Sequence, residues 1–449
     1  MGGSNLLELR LPRTDVATTY VCDVVFRHWC QWPLVIRAAD RSNLGIGTIG
    51  EPDLDLQFGC AETIWGSEVD SFLARAFAPE VLGRLRADKG GSLLDVHGVA
   101  DWLDGGAISA IFWLLSGKSE LASSERDSHC RILATSVCLD RLGVVDLPVV
   151  DLLADYLIQR VRNLFPNLPA AQSEFKIVPT HDVDAPYKYA FRTPLGFLRG
   201  VISDAVRGKS LRTVLRAPQQ WWRVRAGDIE SDPFNCFSRI LDLNETHGLQ
   251  SEFYFIANHS AGRIDGDYDI SHPLMRDLLR EVIDRGHIVG LHSSYNAPFD
   301  SRMLKQERDR LQRLAGEAGY CRPIDYVRNH FLRFEPRITP AVLAACGFCQ
   351  DSTLAFAEKA GFRRGTCRPF PLWDLEGGRP LDVIERPLIA MECSLVSARY
   401  EGLSYADAAD RLDRLKDECR RFGGRMVVLW HNNYLCSEED FELYEHAIS

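Results

Sequence analysis

The chain has 449 residues, 46% hydrophobic and 25% charged, with a formal net charge of -10. That length exceeds one hydrophobic core, so two domains are expected, and the acidic balance argues against general nucleic-acid binding. No apolar run is long enough to span a bilayer. The first ten residues, Met1 to Arg10, lack the basic and apolar regions of a secretory leader, so a cytoplasmic location is expected. Thirteen cysteines follow no regular framework, and Cys346-Gly-Phe-Cys349 is a lone pair. Reduced, buried thiols fit that pattern better than a zinc ribbon.

Residues 1–170 read as one α/β domain. Thr19 to Cys30 carries apolar residues at helical spacing, and Pro33 to Arg37 and Gly45 to Gly50 are short strand candidates. Ala107 to Leu115 and Val149 to Ile158 read as packed helices. No catalytic constellation stands out here; His97 and His129 are isolated. Pro166-Asn-Leu-Pro169 breaks the last helix and supplies a boundary, leaving 171–449 as a second domain.

Phe175-Lys-Ile-Val-Pro-Thr-His-Asp-Val-Asp184 opens that domain as a β-rich run ending in polar groups. Residues two apart on a strand face the same way, so Asp182 and Asp184 project together where it stops. Two adjacent carboxylates repel unless a cation lies between them; an Asp-rich helix cap is the plainer account. Residues 192–225 are rich in arginine, with Asp204 the only acid and Trp221-Trp222 near the end. An insertion covering one end of the domain explains the segment, and its charge hints at an anionic glycan or peripheral membrane contact. From Phe237 onward helices and strands alternate: helices at 237–247, 272–285, 304–319, 339–346 and 405–422, strands at 251–256, 287–291, 326–329, 381–386 and 426–430. Such alternation means a parallel sheet, open or closed into a barrel.

The polar clusters follow strand ends: Thr180 to Asp184, His292 to Asn296, Arg328 to His330 and His431 to Asn433. In a (β/α) barrel that end is the functional face. Two histidines and an aspartate form a plausible zinc set with positions left open. An Asp and a His from different strands could share base and acid duties. The combination fits metal-assisted hydrolysis of an amide or ester.

The order of these motifs resembles the polysaccharide deacetylase (NodB-homology, carbohydrate esterase 4) family over about residues 172–445. Thr180-His-Asp-Val-Asp184 is similar to that family's Thr-Phe-Asp-Asp-Gly, and His292-Ser-Ser-Tyr-Asn296 to its His-Ser/Thr-x-x-His. Arg328-Asn-His-Phe331 stands where Arg-x-Pro-Tyr is usual, and Leu429-Trp-His431 resembles the closing Leu-His motif. With the N-terminal domain, the set looks like a bacterial subgroup found with surface-polysaccharide genes, such as those for O-antigen or capsule.

The resemblance implies a distorted (β/α) barrel of about seven strands. It makes Asp182 the general base, Arg328 its holder, His431 the acid, and Asp184 and His292 ligands of zinc or another divalent transition metal. Val183 replaces the usual second Asp, which shifts the metal carboxylate to Asp184. Asn296 replaces the second histidine and is a weaker ligand or a substrate contact. His330 lies two residues from Arg328 on the same strand end, so it is expected to complete the set. His181, Trp430 and Arg364 are further substrate or weak-ligand candidates. The expected activity is removal of an acyl group, N-acetyl above all, from an amino sugar or glycan. The alternatives are an inactive relative that binds glycan or a partner enzyme, and a hydrolase of another C–N bond on a small molecule.

Overall fold

The computed structural model describes residues 7–11, 15–38, 44–48, 56–61, 63–87, 91–121, 123, 125–170, 173–206 and 211–449. The first six residues, Ile49 and Gly50 of the second strand candidate, and Arg207 and Lys209 of the basic segment lie outside them. Among the described residues the strands are β1 (Leu7–Leu11), β2 (Leu34–Ala38), β3 (Leu44–Thr48), β4 (Leu56–Phe58), β5 (Lys176–Val183), β6 (Glu252–Ile256), β7 (Ile288–Ser293), β8 (Tyr326–Asn329), β9 (Gln350–Asp351), β10 (Phe370–Asp374), β11 (Arg379–Glu385), β12 (Leu388–Met391) and β13 (Arg425–Leu429). The chain divides into two compact units, each built from several segments. One comprises Met1–Lys176, Leu332–Ala390 and Arg411–Met426; the other comprises Ile177–Phe331, Met391–Asp410 and Val427–Ser449.

In the first unit β1 to β4 form a separate mixed sheet in the order β2-β1-β3-β4. Helix Asp101–Leu115 is apolar almost all round and buried along nearly its whole length, as a core helix should be. Helix Val149–Leu164 buries Asp151, whose carboxylate accepts from the Cys367 amide at 2.9 Å and the Thr366 hydroxyl at 3.1 Å. The expected helix over Thr19–Cys30 is α-helical only from Val16 to Cys22 and continues as a π-helix through Trp29.

The larger sheet counts nine strands rather than about seven, and it is not wholly parallel, since β10 and β11 pair antiparallel. The extra strands escape sequence reading for physical reasons. β10 carries Pro371, which lacks an amide donor and demotes a run as a strand. β9 spans two residues, too few to show a period.

In the second unit β5, β6, β7 and β8 run parallel in that order, with Asp182 level with Tyr254, Ile256 with His292, and His292 with Arg328. The Trp430 amide donates to the Thr180 carbonyl at 3.0 Å, and the Thr180 hydroxyl to the Val428 carbonyl at 2.7 Å, so the end of β13 lies beside β5. β6 and β7 are buried at every position, the mark of parallel strands covered on both faces. Helix Pro273–Asp284 buries Met275, Leu278, Leu279 and Val282, an i, i+3, i+4, i+7 stripe; each such side chain contributes about 1.5–3 kcal/mol. Pro273 at its first turn and the His272 ring, which accepts from the Leu274 amide, start that helix. Among the described residues no helix is long and apolar enough to cross a membrane.

Candidate active site

The site lies at the carboxyl ends of β5, β7, β8 and β13, wholly inside the second unit. β5 alternates: Thr180, Asp182 and then Asp184 point one way, His181 and Val183 the other. On the first side Arg328, fully buried, donates from Nη1 to Asp182 Oδ1 at 3.1 Å and to Thr180 Oγ1 at 2.6 Å, with its guanidinium 4.7 Å above the Tyr254 ring. A guanidinium fixed on three sides fixes the carboxylate it holds.

Asp184, His292 and His330 each offer a donor atom, and these atoms lie within 4.8 Å of one another. His292 Nδ1 donates to the Arg328 carbonyl at 2.9 Å, which turns Nε2, the nitrogen left with a lone pair when the ring is neutral, toward Asp184 Oδ1 at 3.1 Å. That Oδ1 is buried without a hydrogen-bond partner. A neutral imidazole nitrogen and a carboxylate oxygen at such a distance are two acceptors, relieved by a cation between them. His330 is braced in the same manner: its Nδ1 meets Asp265 Oδ1 at 3.2 Å, leaving Nε2 3.6 Å from Asp184 Oδ2. A carboxylate or carbonyl behind the far ring nitrogen is the usual support of a metal-binding imidazole. The donor set therefore fits a divalent transition metal.

The charges around these groups attract a cation, a proton when no metal ion is bound. Burial disfavours charge on Asp184, yet His330 and His292 hold its carboxyl well below the usual range. Burial likewise opposes a proton on His330, but Asp184 and Asp265 more than offset it and push the ring up to about 9. Asp265 is buried; desolvation is outweighed by His330 and by the amides of Ala261, Tyr295 and Ser260, which bring it down to about 2. His431 meets Asp184 Oδ2 through Nε2 at 3.6 Å, while its Nδ1 donates to Glu392 at 2.6 Å. Desolvation of that ring is overcome by Glu392 and then Asp184, raising it to about 10.

No family model and no curated protein matches the chain. Among solved structures it is similar to a Mycobacterium smegmatis protein described as a polysaccharide deacetylase, at 16% identity and TM-score 0.40, covering 62% of this chain and 83% of that one. It is similar to PuuE allantoinase at 12% identity and TM-score 0.36, covering 61% and 82%. It is also similar to a Bacillus cereus polysaccharide deacetylase at 12% identity and TM-score 0.27, covering 62% and 86%. These likenesses are remote, and the functional reading rests on the side chains.

Other sequence candidates fall elsewhere. Asn296 is exposed; its amide donates to Ser260 Oγ at 2.9 Å and its Nδ2 to the Ser260 carbonyl at 3.2 Å, so it is not brought to the donors. His181 stacks on Phe253 at 4.7 Å and donates to the Trp430 carbonyl at 2.9 Å, on the reverse side of β5. Trp430 is buried with its ring 5.6 Å from Tyr444. Arg364 belongs to the other unit, where it and Arg363 hold the buried Glu120 at 3.1 and 2.9 Å. One-residue alternation places His181 away from Asp182, and Arg364 is committed to an ion pair.

Two residues that sequence reasoning missed are Asp265 and Glu392. Asp265 precedes Gly266, whose φ is +90° and whose absent Cβ would lie 2.6 Å from the Asp184 carbonyl oxygen. The glycine lets this loop approach the end of β5 and is the one local signal. Glu392 opens a five-residue helix and carries no motif. Just after His330, Phe331 and Leu332 both take positive φ, 60° and 55°, a strained turn for bulky residues.

Proposed function

We propose that this protein is a metal-dependent hydrolase that removes an acyl group, N-acetyl above all, from an amino sugar or glycan in bacterial surface-polysaccharide assembly. The observation that carries the reading is the convergence of Asp184, His292 and His330 beside two separately braced proton carriers, Asp182 with Arg328 and His431 with Glu392. Two imidazoles and a carboxylate suit zinc. Such an ion supplies Lewis acidity at the acyl carbonyl. Asp182, kept in place by Arg328, accepts a proton from the attacking water. His431, protonated and oriented by Glu392, hands its Nε2 proton to the departing nitrogen as the C–N bond breaks, leaving a free amine and a carboxylate. Tyr434, 41% exposed with its ring 6.0 Å from His431, offers an apolar face to a sugar ring.

The test is acetate release from N-acetylated oligosaccharides by the purified chain, together with its metal content. Stoichiometric zinc and chelator-sensitive release support the proposal; neither metal nor release under any divalent ion refutes it. The exposed Asn296 favours a second reading, a glycan-binding relative without turnover. That reading requires glycan affinity with no acetate released.

A further inference from the structure

The two helices between β5 and β6 carry a surface that the hydrolytic reading does not use. Helix Pro194–Val206 presents Leu195, Leu198 and Ile202 to solvent at 57%, 54% and 55% exposure. Helix Leu211–Arg225 presents Leu215 and Trp222 at 70% and 69%. Spacings of three, four and seven set each group on one face of its helix. The opposite faces are already satisfied: Phe197, Val201 and Trp221 pack with Tyr189, Ala217 and Val224 in a small core of their own. Five of the thirteen large hydrophobic side chains exposed among the described residues fall in this one segment. Such concentration marks an interaction surface.

Its charge narrows the partner. Residues 192–225 hold eight arginines and lysines against one acid, Asp204, in a chain whose net charge is -10. Arg199, Arg216 and Arg225 are exposed on the same two helices as the apolar residues. A second copy of the chain would set this positive charge against itself. An anionic glycan would pair with the arginines and leave the leucines and Trp222 in water. A bilayer with anionic headgroups satisfies both, because apolar tips enter the acyl boundary while arginines reach the phosphates. We propose that the helical pair 194–225 docks this protein on anionic lipid bilayers, lying in the interface rather than crossing it. The pair begins ten residues after Asp184, so it is tethered to the site end of β5.

Co-sedimentation of the full chain with vesicles tests this, using phosphatidylcholine alone and phosphatidylcholine mixed with phosphatidylglycerol. The expected result is binding to the mixed vesicles only, weakening as salt rises. L198E/W222E lowers the bound fraction at least about tenfold by removing apolar insertion, and R199E/R216E does so by removing charge. All four positions are exposed, and unchanged circular dichroism and melting temperature of each variant separate lost binding from lost folding. Wild-type protein left in the supernatant with mixed vesicles overturns the proposal. Equal binding to both vesicle types, or variants that bind like the wild type, also overturns it. So does self-association that L198E/W222E abolishes in a chain that ignores vesicles.

Discussion

On one side of β5, Asp182 and Asp184 meet Arg328, His292, His330 and His431; one residue away on the other side, His181 lies between Phe253 and Tyr444. Both sides are buried and both hold imidazoles, yet they hold them in opposite states. His330 and His431 rise to about 9 and 10 because carboxylates outweigh their burial. His181 falls to about 3 because burial outweighs the Trp430 carbonyl, whose hydrogen bond alone would raise it, while Nε2 faces Asn244 and Tyr444. Depth alone therefore does not decide whether a histidine is chemical or structural. The neighbouring charges do.

The largest expected effects are on the charged side. Asp182→Ala and His431→Ala should each lower turnover about 10²–10⁴-fold, the usual loss of a positioned acid or base, with metal content unchanged by elemental analysis. Loss of metal in Asp182→Ala would instead make that carboxylate a ligand. A smaller effect is expected one contact further out. Asp265→Asn should weaken metal affinity about 10–100-fold, as loss of a brace behind a ligand imidazole does, by competition titration with a chelator. Affinity equal to the wild type would show that His330 needs no brace. Gly266→Ala should reduce affinity in the same titration and also lower the melting temperature, since its Cβ meets the Asp184 backbone and its φ disfavours any side chain.

The neutral side makes a subtler prediction. His181 has a folded pKa of about 3 against an ordinary 6.5, so below pH 6.5 the unfolded chain binds a proton that the folded chain refuses. Its stabilisation is complete above pH 6.5 and falls toward pH 3, by up to about 1.4 kcal/mol per pH unit. Urea unfolding at pH 7, 6 and 5 should show a steeper loss for the wild type than for His181→Gln. Parallel curves would mean that His181 is protonated inside the fold.

Much of this arrangement was legible beforehand. The parallel ladder of β5 to β8 announced itself through apolar runs punctuated by glycine, and strand-end polarity pointed to Asp182, Asp184, His292, Arg328, His330 and His431. What stayed hidden has physical causes. Asp265 and Glu392 reach the site from a loop and a short helix, where no period constrains which way a side chain points. His181 sits inside the same polar pentapeptide as Asp182, and polarity alone does not separate the two faces. β10, interrupted by Pro371, pairs with β11 through antiparallel register that no local pattern encodes.

Phe331 and Leu332 set robustness against usefulness at a single turn. Two bulky residues held at positive φ store conformational strain, so Phe331→Gly relaxes the backbone directly after His330. The same change removes a ring 4.5 Å from the His330 imidazole and frees the strand end that aims it. Selection for thermal tolerance alone would drift toward glycine here, and selection for turnover would retain the strained pair.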